Sequence, residues 1–131
     1  MKKFLSALTF VLTLTVSAQE SEQVYPPVFE GCEQMIDFKD CESCFFRHLM
    51  TSVMQELKWP EDLAAEGKVV VEVVYNASSE LEKVEVKQSF SPLATREVER
   101  VLAAIDLPLR PALQRDKAVN VSYMLPVSFK R

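Results

Sequence analysis

The chain is predicted to fold as an α+β domain: a three-stranded antiparallel sheet with helices packed on one face, in the order α-α-β-β-α-β. Three features predict it. Between Lys68 and Gln88 a branched run (Val69, Val70, Val71, Val73, Val74, then Tyr75) breaks at Asn76-Ala77-Ser78-Ser79 and restarts through Leu81, Val84 and Val86, as in a hairpin. From Val119 to Phe129, Val119, Val121, Tyr123, Leu125, Val127 and Phe129 alternate with Asn120, Ser122, Met124, Pro126 and Ser128, a strand with one buried face. Two helical stripes, one of Phe46, Leu49, Met50, Val53 and Leu57 and one of Ala94, Val98, Val101, Leu102 and Ile105, need a shared apolar surface, which the sheet supplies.

At the start of the chain, Lys2 and Lys3 precede an apolar run from Phe4 to Val16, and Val16-Ser17-Ala18 offers a small-residue cleavage site. Residues 1–18 are therefore expected to be a secretory signal, with an uncleaved anchor as the other reading. The run, which includes Thr9, Thr13 and Thr15, is shorter than the ~20 residues a membrane-spanning helix needs. Gln19 follows rather than Cys, so a lipid-modified N-terminus is not indicated. Residues 19–34 form a polar, proline-bearing, extended lead-in that places Val28 and Phe29 against the domain, and residues 35–131 form the domain itself.

The first helix carries the Phe46 to Leu57 stripe, is capped by Asp40 or Ser43, and stops near Lys58 because Pro60 follows. Pro60 then opens a short second helix, with Glu61 and Asp62 in its first turn and Gly67 at its end. In the first hairpin arm, Val69, Val71, Val73 and Tyr75 share one face and Val70, Glu72 and Val74 the other, so the arm belongs in the middle of the sheet. The second arm turns Val84 and Val86 inward and Lys83, Glu85 and Lys87 to water. Ser91 and Pro92 cap and open the next helix, whose Arg96, Glu97, Glu99 and Arg100 read as a solvated face. Pro108 and Pro111 bracket a connection with no regular element. Pro126 cannot donate to a ladder, which places the last strand at an edge with its even-numbered backbone groups outward.

Composition removes several functions. The 131 residues carry a formal charge of −4, and −6 without the signal, with 13 basic against 19 acidic side chains. An acidic chain without a basic stripe excludes nucleic acid as the partner. Two glycines leave no Gly-rich phosphate loop, and a single histidine leaves no two-histidine zinc hydrolase site. No Ser-His-Asp arrangement is supported by spacing, so no enzyme, cofactor or metal site is assigned. Trp59 and Tyr123 can line a groove, but beside Pro60 and on a buried strand face they read as core.

Cys32, Cys41 and Cys44 admit three readings. In an exported domain a structural disulfide is the ordinary one. Cys41-Glu42-Ser43-Cys44 is also a C-x-x-C at a helix start, where the dipole lowers a thiol pKa as thiol redox chemistry requires. Cys32, Cys41, Cys44 and His48 would equally make a Cys3His zinc set, His48 being otherwise an exposed residue on the polar side of its helix.

Val28-Phe29-Glu30-Gly31-Cys32, Cys44-Phe45, Leu57-Lys58-Trp59-Pro60, Gly67-Lys68-Val69-Val70-Val71 and Val121-Ser122-Tyr123-Met124-Leu125-Pro126-Val127-Ser128-Phe129, in that order, resemble the TonB C-terminal domain family. The Phe-x-Gly-Cys lead-in is similar to that of small exported Bacteroidetes-type members, and the likeness covers Val28 to Lys130. The resemblance implies a periplasmic module that binds extended segments of TonB-dependent outer-membrane receptors, or other envelope proteins, by β-augmentation along its last strand. It maps partner binding onto Val119, Asn120, Val121, Ser122, Tyr123, Met124 and Leu125, with the docking ladder on the backbones of Asn120, Ser122 and Met124. It also maps a disulfide onto Cys32 and Cys44, leaving Cys41 as the odd thiol, able to link two chains into a homodimer. Full-length members have a motor-engaging anchor and a long Pro-rich spacer, which the reading of this chain lacks. Asn76-Ala77-Ser78-Ser79 and Gln114-Arg115-Asp116 stand where relatives have Gly-bearing turns.

Overall fold

The computed structural model describes residues 23–131. Its elements are α1 (Phe38–Glu56), β1 (Gly67–Tyr75), β2 (Leu81–Gln88), α2 (Pro92–Ala104), β3 (Ala112–Gln114), β4 (Lys117–Val119) and β5 (Val121–Phe129). The signal expected over residues 1–18, and residues 19–22 of the lead-in, lie outside the described residues. β1 sits between β2 and β5 in a three-stranded antiparallel sheet, and β3 pairs with β4 in a separate hairpin. The class is α+β, but the order is α-β-β-α-β-β-β rather than α-α-β-β-α-β.

The expected helix after Pro60 is a single turn. Leu63 N–H donates to the Pro60 carbonyl at 3.1 Å, and the Leu63 carbonyl accepts from the Trp59 indole at 2.9 Å. That carbonyl would have served a backbone N–H four residues on, at Gly67, but Gly67 already starts β1. Leu63 is buried, so the turn seats one anchor in the core.

The second correction lies between the two prolines and β5. Ala112 to Gln114 pair with Lys117 to Val119 across a two-residue turn. Arg115 and Asp116 occupy that turn with φ of 52° and 65°, the left-handed conformation at both central positions of a hairpin turn of type I′. Neither residue is the Asn or Gly that advertises such a turn. The strand expected from Val119 onward is therefore two strands parted at Asn120, whose side-chain oxygen accepts from Ala77 N–H at 2.9 Å.

The core lies on one face of the sheet. Val69, Val71, Val73 and Tyr75 of β1 and Leu125, Val127 and Phe129 of β5 meet Phe45, Leu49 and Val53 of α1 and Ala94, Val98, Val101 and Leu102 of α2. Burial pushes the Tyr75 phenol up to about 12. The first helix is capped by Asp37, which accepts from Lys39 N–H at 3.2 Å, and not by Asp40 or Ser43. Asp40 falls instead in the first turn, where a negative charge is favoured. α1 ends at Glu56, with Leu57 already extended ahead of Pro60. Ser91 caps α2 through Leu93 N–H at 3.1 Å, with Pro92 opening the helix as expected.

The lead-in joins the domain through backbone bonds. Tyr25 and Leu113 exchange both bonds, at 2.8 and 3.0 Å, and Val28 N–H donates to the Arg110 carbonyl at 3.0 Å. Phe29 is buried against Phe45 and Tyr75.

On the open face of the sheet, Glu72 and Glu85 pair with Lys83 and Lys87 at 3.3 to 3.5 Å. A more consequential pair is half hidden. The Glu97 carboxylate, 12% exposed, accepts from Arg100 at 2.7 and 2.9 Å and from Lys58 N–H at 2.7 Å, while Arg100 also donates to the Glu56 carbonyl at 3.0 Å. These bonds clip α2 to the end of α1. They hold the Glu97 carboxyl below its ordinary range, Arg100 first.

Two outcomes follow from these contacts. Asp116→Gly is expected to stabilise the domain by about 0.5 to 1 kcal/mol in urea melts, since glycine adopts φ > 0 without steric cost. Glu97 has a depressed folded-state pKa, so its stabilisation is present above the ordinary glutamate range and lost as pH falls through the lower folded value. Glu97→Gln should cost about 1 kcal/mol at pH 7 and remove that part of the acid-side slope.

Candidate functional site

Of the two edges of the sheet, only β5 is built regularly. It pairs with β1 in an unbroken register from Gly67↔Phe129 to Tyr75↔Val121, whereas the β1–β2 register shifts at Val70/Val71 and again at Val74/Tyr75. Such irregularities twist an edge away from new partners, and β2 adds Glu82, Lys83, Glu85 and Lys87. The alternate residues of β5 on the open face are Ser122, Met124, Pro126 and Ser128, uncharged and exposed.

The backbone alternation of β5 follows from its two ends. In an antiparallel ladder, successive residues point their N–H and C=O groups to opposite sides. Pro126, opposite Val70, has no N–H to give β1. Two residues beyond Phe129, the Arg131 N–H turns to the β1 side and meets the Glu66 carboxylate at 2.9 Å. Odd-numbered residues thus serve β1, and the amides of Ser122, Met124 and Ser128 face outward.

The core side of this edge is aromatic. Tyr123 packs on Phe45 with ring centroids 4.7 Å apart and on Phe46 at 5.2 Å. Burial, the nearby Glu42 carboxylate and Tyr75 raise its phenol well above the ordinary tyrosine range. At the far end Trp59 meets Phe129 at 6.3 Å and carries the Arg131 guanidinium 4.5 Å from its ring centroid. Of the expected partner-binding residues, Val121, Ser122, Tyr123, Met124 and Leu125 lie on β5. Val119 does not: it belongs to β4 and pairs with Ala112. Asn120 lies at the junction, its side chain committed to the β1–β2 turn.

Cys32 and Cys44 form a disulfide, with Cα atoms 5.9 Å apart, and tie the lead-in to α1. Cys41 stays a free, half-buried thiol, with Sγ 3.5 Å from the Met35 carbonyl oxygen. Burial first, then Asp37 and Asp40, push it above the ordinary thiol range, which opposes the thiolate a redox C-x-x-C needs. Among the described residues no cluster of three His, Cys, Asp or Glu is placed to hold a metal. His48 is half-buried and stacks on Phe29, ring centroids 4.4 Å apart, rather than standing in water.

Sequence reasoning missed a cavity of about 440 Å³ under the lead-in, lined among others by Tyr25, Met35, Ile36, Cys41, Arg110 and Leu113. Ile36 is 86% exposed there. No period places these residues together. Only the exposed pair Met35-Ile36 ahead of a helix cap signals it.

Replacing both Cys32 and Cys44 by Ser is expected to destabilise the domain by about 3 kcal/mol, the chain-entropy value for a loop of this length. Thiol titration of the unfolded, unreduced protein should find one free thiol, that of Cys41. Searches among protein-family models, curated proteins and solved structures give no match to this chain.

Proposed function

We propose that this chain is a periplasmic protein-binding module, without catalysis, that accepts an extended segment of an envelope protein as an added strand along β5. The observation that carries this reading is the open, regular and uncharged β5 edge. Its outward backbone groups supply affinity, and the side chains on either side supply selectivity. The resemblance to TonB C-terminal domains assigns the partner as the N-terminal segment of a TonB-dependent outer-membrane receptor.

One further observation supports an exported location. The Cys32–Cys44 disulfide suits an oxidising compartment, extracellular or periplasmic. Among the described residues, no helix is long and apolar enough to cross a membrane.

The test is a titration of isotopically labelled protein, residues 19 to 131, with receptor N-terminal segments, following backbone amides. Saturable shifts along Val121 to Phe129 are expected. Met124→Pro removes one outward N–H and leaves the β1 side of the ladder intact, so it should weaken binding roughly ten-fold while the fold persists. Binding undiminished in Met124→Pro, or shifts confined to β2, would refute the β5 assignment.

A further inference from the structure

β5 is flanked on its core side by α1, and the contacts at its two ends fix how the helix lies. Phe46, at the middle of α1, packs on Tyr123, and Trp59, just past its end, packs on Phe129. The helix therefore runs alongside β5 in the same direction. His48, on the opposite flank of α1, stacks on Phe29 of the lead-in, and Cys44 is bonded to Cys32 there. The other flank faces the free edge.

That flank carries Phe46, Met50 and Met54, spaced four apart and so stacked one above another. Phe46 and Met50 are half-buried against the core, and Met54 is 48% exposed. Three large apolar residues in a row, graded from half-buried to open, are a wall without a covering element among the described residues. Both methionines are unbranched and adapt to varied partners. The wall is charged differently at its ends, with Glu42 one turn before Phe46 and Arg131 against Trp59.

Resting on the reading of β5 as a docking edge, we infer that Phe46, Met50 and Met54 are the specificity-determining wall of that edge, and that its ligand is an extended segment with apolar side chains at alternate positions. In an added strand every second side chain points to the helix side of the sheet. Those side chains meet the wall, and the intervening ones meet Ser122, Met124 and Pro126 on the open face. Charged residues at helix-facing positions would be desolvated against methionine without a partner and are rejected. A basic residue at the Glu42 end and an acidic one at the Arg131 end set the direction of entry.

Two synthetic peptides test this on the intact domain: Lys-Thr-Val-Thr-Val-Thr-Val-Thr-Glu, and the same peptide with Ser at each Val. The valine peptide should shift the outward amides of β5 and the Met50 and Met54 methyl groups, and bind roughly ten-fold more tightly or better than the serine peptide. Met54→Gln, at an exposed position, should weaken the valine peptide about three-fold and leave the serine peptide unchanged. Equal affinities of the two peptides, or indifference of the valine peptide to Met54→Gln, overturn the wall while β5 shifts still support the edge. If neither peptide shifts β5, the edge reading itself falls, and the wall with it.

Discussion

The structure depends on β1 being paired on both sides and covered on one face. Val69, Val71 and Val73 are fully buried and Tyr75 nearly so, which is possible only if helices cover one face and strands flank both edges. α1 and α2 supply the cover, each through a stripe of residues at helical spacing. The three-stranded sheet stops there, so the strands that protect β1 become edges themselves. Burying one strand exposes two others, and the two are built differently.

β2 is unsuited to a new neighbour: its register to β1 shifts twice and its outer face carries Lys83, Glu85 and Lys87, paired with one another and with Glu72 of β1. β5 has no shift and no charge between Val121 and Phe129. Its one protective device is Pro126, which removes a single outward donor. The Cys32–Cys44 bond and the Tyr25 and Val28 bridges then hold the lead-in on the far flank of α1 from this edge. The region nearest β5 is left to Phe46, Met50 and Met54.

Much of this was legible in the sequence because burial imposes period. The central position of the valine-rich arm, the edge position of the last strand, the Ser91-Pro92 start of α2 and the pairing of the sheet could all be read from alternation, caps and proline. The misses each turned on a contact or a backbone conformation that leaves no period in the sequence. Pro60, Glu61 and Asp62 carry helix-start chemistry, yet the Trp59 indole takes the Leu63 carbonyl and the turn goes no further. Arg115 and Asp116 form a left-handed turn without glycine, so the β3–β4 hairpin gave no signal. The alternation through Val119 and Asn120 is continuous in sequence, and only the bond from Ala77 N–H to Asn120 shows that the strand is interrupted there. The disulfide pairing came from the family resemblance, since spacing left three readings open.

The central claim is that the outward backbone groups of β5 are open and become paired when a partner strand docks. Residue-by-residue amide hydrogen exchange, without and with a receptor N-terminal segment, measures this directly. In the free protein the amides of Val121, Tyr123, Leu125, Val127 and Phe129 should exchange slowly and those of Ser122, Met124 and Ser128 quickly, the latter slowing when the segment is added. Equal protection of both sets in the free protein, or no slowing of the outward set with the segment bound, would contradict the account.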